Sequence, residues 1–122
     1  MNRPQAIPQL DPLYADLRRR DPVRPALLVD VREVDEFRQV RVEDCLFVPM
    51  SQLGVRVQDI PRDRPILVMC ASGSRSQSAT AFLLQQGFED VGSVAGGIGG
   101  WQQLGLPVKH GPVEDGEGQF RG

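Results

Sequence analysis

Short apolar runs alternate with amphipathic stretches along the chain, the pattern of a mostly parallel sheet covered by helices. Four segments read as strands: residues 27–31 (LLVDV), 46–48 (LFV), 65–69 (PILVM) and 91–94 (VGSV). The first and third are almost wholly apolar, as strands buried on both faces are, which puts them at the centre of the sheet. The pattern therefore predicts an α/β fold with a mostly parallel central sheet of about five strands and helices on both faces.

Helix signals fall between the strands. Asp11 followed by Pro12 reads as an N-cap with proline at N1, opening a helix to about Arg19 with Leu13 and Leu17 on one face. Residues 34–39 read as a short helix, and Ser51 as the cap of another that stops at Ile60 and Pro61. The clearest helix is 76–86, with Ala79, Phe82, Leu83 and Gln86 on one stripe and Gly87 as a left-handed C′ residue. A last helix is predicted from near Gly99, carrying Trp101 and Leu104. Beyond Val108 the stretch KHGPVEDGEGQFRG has almost nothing to bury, so residues 1–108 read as one domain and 109–122 as a polar, disordered tail in which His110 has no role.

Composition narrows the function. With 122 residues, 40% hydrophobic and 25% charged, the chain is the size of one soluble domain. A net charge of −2 argues against a nucleic-acid partner. The start MNRPQAIPQLDP lacks an apolar h-region, and no window approaches the roughly 18 apolar residues of a membrane span. No membrane partner and a cytoplasmic location are expected. Two cysteines, Cys45 and Cys70, are too few for a disulfide scaffold, and one histidine cannot complete a Cys/His zinc site, so no such metal is expected.

The chemistry concentrates in MCASGSRS, between the apolar run PILV and the helix SATAFLLQQG. A buried strand, a polar turn and a helix place a loop at the carboxyl edge of a parallel sheet, where ligands bind. Cys70 opens that loop. The small residues Ala71, Ser72, Gly73 and Ser74 let the backbone curl with its N–H groups inward, and Gly73 accepts a positive φ without cost. The start of the helix at Ser76 adds partial positive charge and Arg75 a full one. All of this favours a thiolate over a thiol, making Cys70 a nucleophile. A merely structural cysteine at a strand end needs no such surroundings.

CASGSRS resembles the active-site loop of the rhodanese-like (thiosulfate sulfurtransferase) domains, which begins with a persulfide-carrying cysteine. LLVDVREVDEF upstream and VAGGIGGWQQLGLPV downstream are similar to that family's other signatures, in the same order, so the resemblance spans residues 7 to 108. One segment departs from it: Arg41 stands where the family usually has a histidine, and Cys45 where it has an alanine. The resemblance implies that the Cys70 thiolate takes a sulfane sulfur from a small anionic donor such as thiosulfate and passes it to a thiol or protein acceptor. It implies no cofactor. The loop amides, helped by Ser72 and Ser74, would hold the persulfide, and Arg75 would attract the donor. Asp30 and Arg32, ending the other central strand, would orient Arg75, bind substrate or form a structural ion pair.

Two other functions fit the same loop. A cysteine-based phosphatase or arsenate-type enzyme would cradle an oxyanion, but such loops place five residues between cysteine and arginine, where this chain has four. A non-catalytic binding or regulatory module normally lacks the nucleophile. Cys45 reads as a small apolar residue opening a strand, with a resolving-thiol role as the alternative. Arg18, Arg19 and Arg20 read as a solvated helix end that complements the macrodipole. The run from Gly96 to Gly100 lacks phosphate-loop spacing and reads as a flexible turn.

Overall fold

The computed structural model describes residues 7–120; residues 1–6, which hold half of the start read as lacking a leader, and 121–122 lie outside the described residues. In chain order the elements are β1 (Gln9–Leu10), α1 (Pro12–Arg19), β2 (Leu27–Asp30), α2 (Val34–Gln39), β3 (Val40–Arg41), β4 (Cys45–Phe47), α3 (Leu53–Arg56), β5 (Ile66–Met69), α4 (Ser74–Gln85), β6 (Val91–Val94), α5 (Gly97–Gln103) and β7 (Lys109–His110). Five strands form a parallel sheet in the order β1-β6-β5-β2-β4. The two apolar runs pair directly, Leu27 with Ile66 through Asp30 with Met69, so the two most hydrophobic strands are neighbours.

Strand alternation divides the core between the two faces of this sheet. Leu27, Val29, Val68 and Cys70 pack with Leu53, Ala79 and Leu83, beneath α3 and α4. Leu28, Leu67 and Met69 pack with Ala15, Phe37, Ile98 and Trp101, beneath α1, α2 and α5. Helices therefore cover both faces. Trp101 is fully buried and its Nε1–H donates to the Pro107 carbonyl at 3.0 Å. Among the described residues, no helix is long and apolar enough to cross a membrane.

Local sequence signals hold at α1 and α4. Asp11 caps α1 by accepting from the Leu13 amide at 2.8 Å, and Gly87 follows α4 with φ +91°. Other details differ from the sequence reading. Leu13 and Leu17 do not form the buried face of α1, for they are 50% and 61% exposed, while Ala15 and Asp16 turn inward. The Arg18–Arg20 run is engaged in ion pairs, Arg18 with Asp90 and both Arg19 and Arg20 with Asp16. Ser51 lies within a 3-10 turn after Pro49, and its hydroxyl donates to Glu33 rather than capping a helix. On α4, Gln86 is exposed and the buried stripe is Ser76, Ala79, Thr80 and Leu83.

The larger difference concerns the C-terminal segment. Read as disordered from residue 109, it instead runs back across the domain. Lys109 and His110 pair antiparallel with Arg41 and Val40, the Gly118 carbonyl accepts from the Phe47 amide at 2.7 Å, and Phe120 packs against the core. β4 is a sheet edge, and this strap occupies one of its outward donors. Arg41 explains the docking. Its side chain is fully buried; Nε and Nη2 donate to the two Glu117 carboxylate oxygens at 2.9 and 3.0 Å, and Nη1 and Nη2 donate to the Gly111 and Pro112 carbonyls at 3.0 Å each. A buried guanidinium needs a counter-charge and full hydrogen bonding, and the strap supplies both.

The fork to Arg41 holds the Glu117 carboxyl down at about 2, against an ordinary value near 4.5. Its folded-state value is depressed, so its stabilisation is fully present above pH 4.5 and drains away as pH falls toward 2. Glu117→Ala is expected to cost about 3 kcal/mol by stranding Arg41, roughly a 10 °C fall in melting temperature at pH 7. The two melting temperatures should draw together as pH falls from 4.5 and meet near pH 2. Equal melting temperatures at pH 7 would show that the strap carbonyls alone satisfy Arg41.

Candidate active site

β5 ends at Met69, and Cys70 is the first residue beyond it, fully buried under the turn that leads into α4. The helix begins at Ser74, two residues before the sequence reading placed it, behind Gly73 at φ +104°. Ala71, Ser72 and Gly73 thus form the turn proper, while Ser74, Arg75 and Ser76 are the first helical residues. Around the sulfur, the Gly73 amide donates to Cys70 Sγ at 3.0 Å, and Ser76 Oγ lies 3.4 Å from it. Burial pushes the Cys70 thiol up, but the Ser76 hydroxyl and the amides of Ser76, Gly73 and Ser72 outweigh it and bring the thiol below its ordinary value of 9.0. The arrangement is a turn of backbone amides at a helix start, of the kind that favours negative charge on the sulfur.

The turn is held open by α5. The Ile98 and Gly99 amides donate to the Cys70 and Ala71 carbonyls at 2.8 and 3.1 Å. Because each peptide plane points its N–H opposite its C=O, drawing these carbonyls toward α5 turns the Ala71 and Ser72 amides the other way. The approach is so close that a Cβ on Gly97, at φ +58°, would sit 2.4 Å from the Cys70 carbonyl oxygen. A Cβ on Gly73 would sit 3.0 Å from the Gly96 nitrogen. Glycines Gly96 and Gly97 are therefore neither a flexible turn nor a phosphate loop. They form the tight start of α5, which begins at Gly97 rather than near Gly99.

Asp30 and Arg32 take the structural ion pair that the sequence reading allowed, while Arg75 has a partner that reading did not name. Arg75 is gripped by Glu36, with Nη1 and Nη2 each 2.7 Å from a carboxylate oxygen, and neither Asp30 nor Arg32 touches it. The fork holds the Glu36 carboxyl down at about 2. Asp30 and Arg32 form a closed, buried ion pair at 2.8 Å, and Arg32 also donates to the Glu36 and Val40 carbonyls. Their effect on the site is indirect: Arg32 fixes the backbone of α2, whose Glu36 fastens Arg75 and the first turn of α4.

Cys45 lies on the opposite face of the sheet, in the core with Leu28 and Phe37. It is level with Leu28 on the edge strand β4, two strands from β5 with β2 between, while Cys70 lies beyond the rung of Asp30 and Met69. Burial pushes its thiol up to about 12. The arrangement suits a small apolar residue and gives Cys45 no path to Cys70.

Sequence reasoning missed three residues that shape the site. Glu36 carried no signal beyond its place in a capping box. Gly97 was visible as half of a glycine pair, whose closeness to Cys70 is a tertiary fact. Ser93, 2.7 Å from Ser76, was signalled by a polar residue inside an otherwise apolar strand.

The family profile described as rhodanese-like domain matches residues 10–104. A protein named sulfurtransferase from Allochromatium vinosum is 43% identical over 82 residues, covering 67% of this chain and 77% of the relative. The thiosulfate sulfurtransferase GlpE of Actinobacillus succinogenes is 37% identical over 84 residues, 69% of this chain and 76% of that protein. Among solved structures, a rhodanese-related protein from Thermoplasma volcanium superposes with a TM-score of 0.73 at 30% identity, covering 84% of this chain and 97% of the other. With the parallel sheet and the cysteine at the carboxyl end of its central strand, these matches settle the family: the chain belongs to the rhodanese-like domains, as a rhodanese-type sulfurtransferase.

Proposed function

We propose that Cys70 carries the transferred sulfur as a persulfide and that its donor is a small anion such as thiosulfate. The Cys70 thiolate attacks the outer sulfur of thiosulfate; a new Sγ–S bond forms, the donor S–S bond breaks, and sulfite leaves with the bonding pair. A nucleophilic acceptor, cyanide in an assay or a thiol or protein thiol in the cell, then attacks the outer sulfur and releases the thiolate. Both steps balance without added oxidant or reductant. A reducing compartment such as the cytoplasm suits a nucleophile that must remain a thiolate.

One observation carries this reading: Cys70 Sγ sits at the focus of the loop amides, 3.0 Å from the Gly73 nitrogen. Preorganised amides of this kind stabilise negative charge on sulfur without reorganisation cost at the moment of reaction. The charge of Arg75 is already matched by Glu36, so the amides supply most of the attraction for an anionic donor. The same fork disfavours phosphoryl chemistry, which would need that guanidinium turned toward the phosphate oxygens.

Initial rates of thiocyanate formation at varied thiosulfate and cyanide test the mechanism. Parallel double-reciprocal lines are expected, as for a covalent intermediate, with no hydrolysis of p-nitrophenyl phosphate. Release of phosphate with no thiocyanate would transfer the assignment to phosphatase chemistry.

A further inference from the structure

Ser76 and Ser93 are both fully buried, and their hydroxyl oxygens lie 2.7 Å apart. Ser93 comes from β6, the strand beside β5, so this contact joins the sheet to the first turn of α4 directly behind the reactive sulfur. Ser76 Oγ has three neighbours: Cys70 Sγ at 3.4 Å, the Gly73 carbonyl at 3.2 Å and Ser93 Oγ. A serine hydroxyl has one proton to give and two lone pairs with which to accept. Among the described residues, Ser93 Oγ has Ser76 as its one hydrogen-bond partner, so Ser76 Oγ is the one acceptor within reach of its proton.

We infer that Ser93 is a positioning residue for sulfur transfer, its hydroxyl donating to Ser76 Oγ and leaving the Ser76 proton free to turn between the Gly73 carbonyl and Cys70 Sγ. With Cys70 as a thiol, S–H donates to Ser76 Oγ and Ser76 O–H donates to Gly73. With Cys70 as a thiolate, Ser76 O–H turns onto the sulfur. Ser93 O–H stays on Ser76 in both states, so one proton rotates and no heavy atom moves. A donor behind a donor also polarises it, strengthening the bond to the anion. This inference rests on the reading of Cys70 as the nucleophile.

Charged groups on the surrounding elements do not replace this device. Arg75 of α4 and Glu36 of α2 are paired with each other, and Asp30 and Arg32 at the end of β2 likewise. The residues of β6 and α5, VGSV and GIGGWQQ, carry no charge.

The test is the rate of Cys70 alkylation by iodoacetamide against pH, read by intact mass, in the wild type, Ser93→Ala, Ser76→Ala and the double variant. Cys45, at about 12, stays silent across the range. Ser93→Ala is expected to raise the midpoint by about half a unit, so that alkylation well below it is roughly threefold slower. In the Ser76→Ala background the same change should shift nothing, because Ser93 acts through Ser76. A wild-type midpoint in Ser93→Ala, or an equal rise in both backgrounds, would overturn the inference. Alkylation requires no sulfur donor, so a failure of persulfide loading would count against the transfer mechanism and leave this result standing.

Discussion

Cys70→Ala is expected to reduce thiocyanate formation from thiosulfate and cyanide to the uncatalysed background while leaving the fold intact. The reaction as proposed passes through a bond to Sγ, and no other group can take its place. Serines 72, 74 and 76 are poor nucleophiles at neutral pH, and Cys45 is buried on the far face of the sheet with its thiol pushed up to about 12. Structurally the loss is one buried atom at the end of β5. Such a truncation costs about 1 kcal/mol, a shift of about 5 °C or less in melting temperature. The loop should keep its shape, since its carbonyls are held by the Ile98 and Gly99 amides and not by the thiol. Retained activity in a folded Cys70→Ala protein would remove the cysteine from the mechanism.

Gly97→Ala is expected to damage activity through the backbone alone. The added Cβ would lie 2.4 Å from the Cys70 carbonyl oxygen and 2.6 Å from the Ala71 carbonyl carbon, both backbone atoms with no rotamer to yield. At φ +58° an alanine is also strained by about 1–2 kcal/mol. Either α5 retreats or the Cys70 loop does, and both break the bonds from Ile98 and Gly99 that aim the amides. A misplacement of about 1 Å at a reacting centre costs on the order of 100-fold in rate. The expected result is therefore a loss of about that size in kcat/KM, with a melting temperature lowered by several degrees. Gly99→Ala is the control, its Cβ meeting the Ala71 carbonyl at a milder 3.3 Å. Wild-type kinetics in Gly97→Ala would show that the glycine contact does not set the loop.

Much of the fold was legible because it depends on local signals. Two apolar runs gave the central strands, and Asp11 and Gly87 marked helix ends by capping chemistry that acts over a few residues. The cysteine loop was readable for the same reason, its small residues and helix start being contiguous. What the sequence hid was non-local. Nothing near Lys109 or Glu117 shows that Arg41, 76 residues from Glu117, is buried and needs its carboxylate. The exposed face of α1 reversed expectation because close packing against α5 favours short side chains. Ala15 meets that need where Leu13 and Leu17 do not. Arg75 lies in the first turn of α4, and its partner Glu36 comes from another helix, a pairing no local signal could announce.

The most direct test of the central claim is intact mass after incubation with thiosulfate, before and after cyanide, with the modified peptide located by digestion. The account predicts a gain of one sulfur atom, confined to Cys70, removed by cyanide and absent from Cys70→Ala. An unchanged mass in protein that is turning over thiosulfate, or sulfur found on Cys45 instead, would contradict it.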